Sequence, residues 1–433
     1  MKDMFLENVF IKLNKKKLDF NIFYIGLFLL PSLPSISSIF LFISFIYLTL
    51  TKKSYLEDKF NYPLILSSVL IIISCILNTI YPANFYKGEY QIEQLWIGIS
   101  NWLPYFWIFW LFQSYSKNPS MRKKLIIIFL IGSIPVIISG FLQYFFKFHG
   151  PFVFLNGFIT WYSREIHPGD GMTGLFNNSN YLGMWLNIIW PFSIVFFKDS
   201  LRTQSKRSIS SLLLASIFIC TLLTFSRNSW LGLVLSTFLV LGFKSLKWLI
   251  PLLSLLITPV LIGLGIFPNN PLSDVTKKFI PGIIFHQFGG LGFENFSSFT
   301  RVQIWNSSIN LISQRPLIGW GSSSFPKLFR SDLGEEFFHT HNLPLEIALS
   351  FGIPTAILII ILIIFILFYS RKRIFKFKNY DGYDKAWWVS ATIVFFCHMF
   401  DLQFFDVRIG LIFWILLGGL RNILRENVKN KEL

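Results

Sequence analysis

Long apolar runs separated by short polar stretches dominate the chain, and several approach or exceed the ~18–20 residues that cross a hydrocarbon core as helix. The first, Phe20 to Leu50, is too long for one ordinary crossing. Pro31, Ser32, Pro34, Ser35, Ser37 and Ser38 interrupt its centre, which predicts a tight hairpin of two spans. Further spans are expected at about 61–81, 95–115, 125–146, 179–197, 209–225, 228–243 and 248–267, and, after a loop of roughly 75 residues, at about 354–369, 386–400 and 407–420. The pattern predicts an all-α polytopic membrane protein of about twelve transmembrane helices, and not a barrel. It divides into a nine-span membrane bundle over 1–267, a large extracytoplasmic loop with short helices over 268–353, and a three-span bundle with a cytoplasmic tail over 354–433.

Composition agrees. Hydrophobic residues make up 53% of the 433 positions and charged residues only 14%, well under the roughly 25% of a soluble domain. The formal net charge of +17 invites a nucleic-acid reading, but the basic residues sit in short clusters between apolar runs, which is how membrane topology is written. Lys12 to Lys17 and Lys52-Lys53 flank the hairpin, and Met121 to Lys124, Lys198 to Arg207 and Arg371 to Arg373 continue the series on one side. Both termini are therefore expected in the cytoplasm, with these clusters as topological anchors and headgroup contact as an alternative use. No cleavable leader is expected from the first apolar run. Cys75, Cys220 and Cys397 lie inside apolar segments and read as packing residues.

Three polar segments serve no topological purpose. One runs from Lys147 to Asn178 and carries Arg164, His167 and Asp170 before Asn177-Asn178-Ser179-Asn180 at the mouth of the next span, where Asn178 or Asn180 is either a helix cap or a binding group. The second is the outer turn Thr224 to Trp230, whose lone Arg227 either snorkels to headgroups or awaits an anion. The third follows Phe299: Arg301 opens an amphipathic helix ending at Gln314-Arg315-Pro316, and Leu317-Ile318-Gly319-Trp320-Gly321 makes a turn. His339-Thr340-His341-Asn342 then leads a helical segment closed by Gly352 and reopened by Pro354, with His341 on a short helix about three turns outside that break. His339 also reads as a solvated loop histidine. No HExxH pattern or Cys/His cluster completes a zinc site around it and His341, so no metal and no cofactor are expected.

These residues carry a resemblance. His341-Asn342, nine residues, Gly352, two residues and Thr355, with Pro316 to Gly321 and the Ser226-Arg227 turn upstream, resemble the O-antigen ligase and O-antigen polymerase superfamily of envelope glycosyltransferases. The resemblance implies a polytopic fold and transfer of a glycan from undecaprenyl diphosphate, without metal, to an acceptor on the extracytoplasmic face, with inversion. The acceptor is lipid A core for a ligase, as in lipopolysaccharide biosynthesis, a growing glycan for a polymerase, or a protein for an O-oligosaccharyltransferase. It also implies roles for residues here: His341 as the essential histidine, Arg301 and Arg227 as catalytic arginines, and Arg164 as a further binding group; Asn180, His339 and Asn342 are expected beside them as substrate-binding groups. A transporter for inorganic carbon is the competing reading from another class. It would place ionisable groups near the membrane midplane, whereas these gather at one face.

Overall fold

The computed structural model describes residues 18–52, 55–82, 92–167, 169–201, 204–267, 270–280, 282, 284, 300–329, 337–377 and 380–426. The basic cluster Lys12 to Lys17 lies outside the described residues, as do Lys53 and Phe299.

The hairpin expected over Phe20 to Leu50 is present as α1 (Leu18–Leu29) and α2 (Pro34–Thr51), with Pro34 entering the first turn of α2, where its missing N–H costs nothing. Then come α3 (Tyr62–Ile80), a span broken into α4 (Ile92–Ile97) and α5 (Leu103–Leu111), and a second broken span, α6 (Pro119–Gly132) and α7 (Ile134–Phe146). Sequence reading took each of these last two as one continuous helix. Pro104 and Pro135 explain the interruptions, since a proline fits the first turn of a new helix and disrupts the interior of an old one.

After α7 a short antiparallel hairpin, β1 (Phe152–Phe154) with β2 (Ile159–Trp161), pairs Phe152 with Trp161 and Val153 with Thr160. The chain continues with α8 (Ser179–Ser200), α9 (Gln204–Leu223), α10 (Arg227–Leu241) and α11 (Leu246–Gly263). The large loop carries α12 (Ser273–Phe279), α13 (Thr300–Gln314), α14 (Phe325–Leu328) and α15 (Leu343–Phe351). Last come α16 (Ile353–Lys376), α17 (Gly382–Cys397) and α18 (Val407–Arg425).

Among the described residues nine helical segments are long and apolar enough to cross a membrane, and α1 and α10 are shorter apolar helices. With α17, every expected span falls on a helix, so the chain is an all-α polytopic membrane protein. Burial separates two populations. The apolar window of α8 is 78% buried and that of α18 is 83%, whereas α2 and α11 stand at 22% and 17%. The former pair forms the interior, with α8 packed on α9, α10 and α17, and the latter turn apolar side chains outward, as a lipid-facing helix must.

Candidate active site

Helix α17 runs from Asp384, where it is tied to α6, to Cys397 and His398, and the chain then turns through Asp401 into α18. This turn meets the head of α15. Leu343 N–H donates to the His398 carbonyl at 2.9 Å, and Asn342 Nδ2 donates to the Met399 carbonyl at 2.9 Å. Asn342 is also the N-cap of α15, its Oδ1 accepting from Leu345 N–H at 3.0 Å. Expected to bind substrate, its side chain is instead engaged at both ends in joining the two elements.

His341 therefore stands just before α15, not on it as the sequence suggested. Its backbone is left-handed, with φ 54°, a conformation that costs a side-chain-bearing residue free energy and concentrates at functional sites. Three contacts hold it. Its Nδ1 lies 2.7 Å from Asp401 Oδ1, its backbone N–H donates to His339 Nδ1 at 3.3 Å, and the two imidazoles pack edge to face at 4.2 Å. Asp401 is itself fixed, accepting from Gln403 Nε2 at 2.7 Å and from Leu402 N–H at 3.1 Å. Burial alone would raise its carboxyl pKa. The His341 hydrogen bond and charge, with Arg301 and His339, outweigh that and hold it below the usual carboxylate value.

A buried carboxylate on Nδ1 places the His341 proton there and leaves Nε2 as the basic nitrogen, the arrangement general-base histidines use. His339 has a different part. Burial first, then the neighbouring His341 and Arg301, bring its pKa down to about 4, so at neutral pH its ring is uncharged and its Nδ1 is an acceptor. It is half-buried and not the solvated loop residue that was one reading of it.

Arg301, second residue of α13, acts electrostatically on His339, Asp401 and Arg227, so the two arginines and the two histidines belong to one cluster. Arg227 opens α10 behind the N-cap Ser226, and its exposed guanidinium faces like charge. Its neighbour Asn228 is buried and donates to the Cys397 carbonyl at 3.2 Å, which fixes the start of α10 against the end of α17. The expected cap at α8 is Asn178, which accepts from Asn180 N–H at 2.7 Å; the Asn180 side chain takes no part in that cap. Arg164 is exposed and, among the described residues, engages the protein through its backbone, with Gln143 and Thr173. It is not brought into the histidine cluster by any such contact.

Sequence reading did not single out Asp401. It also missed the Asp406–Arg408 pair, in which Arg408 Nε donates to Asp406 at 2.9 Å while the guanidinium lies 3.5 Å over the Phe176 ring. That contact ties the end of the 147–178 loop to the turn bearing Asp401. With Asp401 in place, ligand atoms of His339, His341 and Asp401 all lie within 4.8 Å of one another. This third ligand-type group comes from a distant part of the chain, not from an HExxH pattern or a Cys/His cluster.

Two comparisons bear on identity. No curated protein matches the chain. A family model described as O-antigen ligase matches residues 211–360, a stretch that contains Arg227, Arg301, His339 and His341. The segment from α9 into α16 that frames this cluster is thus similar to the O-antigen ligase family.

Proposed function

We propose that the protein transfers a glycan from undecaprenyl diphosphate to an acceptor hydroxyl at the extracytoplasmic face of a bacterial inner membrane. The observation that carries this reading is the contact of His341, inside the segment that matches the ligase family, with Asp401 from beyond that segment, beside two arginines. His341 Nε2 takes the proton of the acceptor hydroxyl as its oxygen bonds to the anomeric carbon. The bond from that carbon to the carrier's diphosphate oxygen breaks on the opposite face, which inverts the centre and releases undecaprenyl diphosphate. Arg301 and Arg227 meet the charge that develops on the leaving group, a task for planar, permanently charged donors. Asp401 is a positioning residue that fixes the His341 tautomer and stabilises its imidazolium. The acceptor is lipid A core in a ligase; a growing glycan or a protein would make the enzyme a polymerase or an O-oligosaccharyltransferase.

The test is transfer in vesicles from a lipid-linked glycan donor to several purified acceptors, read by gel shift of the product. His341→Ala should keep its abundance and lose about 10²–10⁴-fold in rate. Asp401→Asn should lose less and move the pH profile, and Arg301→Lys should lose activity despite its retained charge, because the planar fork is gone. A chelator arm separates the base from a metal ligand set at His339, His341 and Asp401: an unchanged wild-type rate supports the base, and abolition supports the metal. If wild type glycosylates none of the acceptors but moves labelled solute in a His341-dependent manner, the protein is a transporter and the reading fails.

A further inference from the structure

At the end of the bundle opposite His341, two hollows meet. The first lies between α3 and α16 and is walled by Phe60, Pro63, Ile357, Ile361 and Phe365. The second opens beyond the same Phe60 and Phe365, whose rings stand edge to face at 5.9 Å, and carries Lys372, Arg373 and Lys376 with Tyr369. Lys59 stands at the mouth of the first. Together they make an amphipathic groove with an apolar floor, which follows α16 for about 12 Å between Ile357 and Phe365 at ~1.5 Å per residue, and a cationic mouth.

Among the described residues, no acid lines the mouth. Two carboxylates at this end are paired with other cations: Asp58 with Arg421 and Arg425, and Glu426 with Arg122. The cations are held in place and are not free tethers. Lys372 Nζ lies 4.4 Å over the Phe368 ring, Lys376 Nζ lies 5.5 Å over Phe377, and Arg373 Nη1 donates to the Leu424 carbonyl at 2.8 Å. Arg373 Nε is buried in the same place with no hydrogen-bond partner, a donor that an incoming oxygen would satisfy. Topological anchoring accounts for basic residues after a span. It does not account for an unpartnered guanidinium nitrogen beside an apolar channel.

We infer that this groove binds a glycerophospholipid with an anionic headgroup, the phosphate at Lys372, Arg373 and Lys376 and one acyl chain along Ile357 to Phe365 between α3 and α16. The occupant is a membrane lipid because the cationic mouth opens directly onto a lipid-facing apolar slot. A soluble phosphate compound would leave that slot unfilled. The cations and the apolar wall are separate requirements, so they can be removed separately.

The test uses the full chain purified from mixed micelles of phosphatidylglycerol and phosphatidylcholine, with retained lipid measured by mass spectrometry. Wild type should retain phosphatidylglycerol in excess. K372Q/K376Q should lower that excess by about fivefold per cation removed. I361W fills the slot without changing any charge, so it should lower the excess even if the lysine variant inserts poorly. K198Q/K385Q removes two cations from a different polar hollow at the same end, lined also by Asp199 and Asp381, and should change nothing. Wild-type retention in either K372Q/K376Q or I361W, or an equal loss in K198Q/K385Q, overturns the assignment.

Discussion

A neutral imidazole at position 339 is worth more to the site than a charged one, because its Nδ1 receives the His341 N–H and a proton there would end the contact. Burial, His341 and Arg301 oppose that proton, with Asp401 favouring it, and the balance brings the pKa down from 6.5 to about 4. The unfolded chain binds the proton from 6.5 downward and the folded chain only near 4, so stability contributed above pH 6.5 is lost progressively as pH falls through that window. Thermal unfolding in micelles should show a larger drop between pH 7 and 5 for wild type than for His339→Gln. An equal drop would mean that the ring is not held neutral. The lowered Asp401 carboxyl acts in a separate range, below its usual value of 3.8. His341 and the two arginines were legible because each stood at a charge-poor boundary or in a motif. Asp401 was not, because it lies 60 residues from its partner and nothing local distinguishes it from any polar residue in a turn between two apolar helices.

Among the elements, the turn after α13 shows what the glycines of Pro316 to Gly321 are for. Trp320 and Gly321 N–H donate to the Leu349 and Ser350 carbonyls at 2.8 Å, and Ile353 N–H donates to the Pro316 carbonyl at 2.8 Å, so the turn takes up backbone groups at the end of α15. Gly352 has φ 89°, and a Cβ there would stand 2.1 Å from the Leu317 carbonyl oxygen. Gly352→Ala should therefore destabilise by at least about 1–3 kcal/mol and weaken the seating of His341 at the other end of this nine-residue helix. Tm and transfer activity should fall together; a variant with normal Tm and lost activity would place Gly352 in substrate contact instead. The helix end at Gly352 and the restart at Pro354 could be read from sequence because glycine and proline punctuate locally. The break between α6 and α7 sat inside an unbroken apolar run, where hydropathy concealed the signal at Pro135.

At the scale of the molecule, charge is buried at the end opposite the histidines. Arg122 was read as one of a group of topological anchors; it is fully buried and donates to Asp384 at 2.6 Å and to Glu426 at 2.5 Å. Arg421, equally buried, pairs with Asp58. Removing one partner of such a pair strands the other charge and typically costs ~3–5 kcal/mol. Asp384→Asn should lower Tm strongly, and Arg122→Met with Asp384→Leu should recover much of the loss. No recovery would mean that the pair sets the geometry of α6 and α17 and not merely a charge balance. Hydropathy cannot show these pairings, because the partners lie hundreds of residues apart.

That separation sets a clock. Arg122 leaves the ribosome 262 residues ahead of Asp384 and 304 ahead of Glu426. At ~5–20 residues per second, synthesis of the first interval alone lasts about 13–50 s. Throughout that time α6 sits in the membrane with a guanidinium whose burial site does not yet exist, so it stays near water until α17 arrives and closes over it. A chain cut short before residue 384 is thus not a smaller version of this protein but a bundle with an uncovered cation.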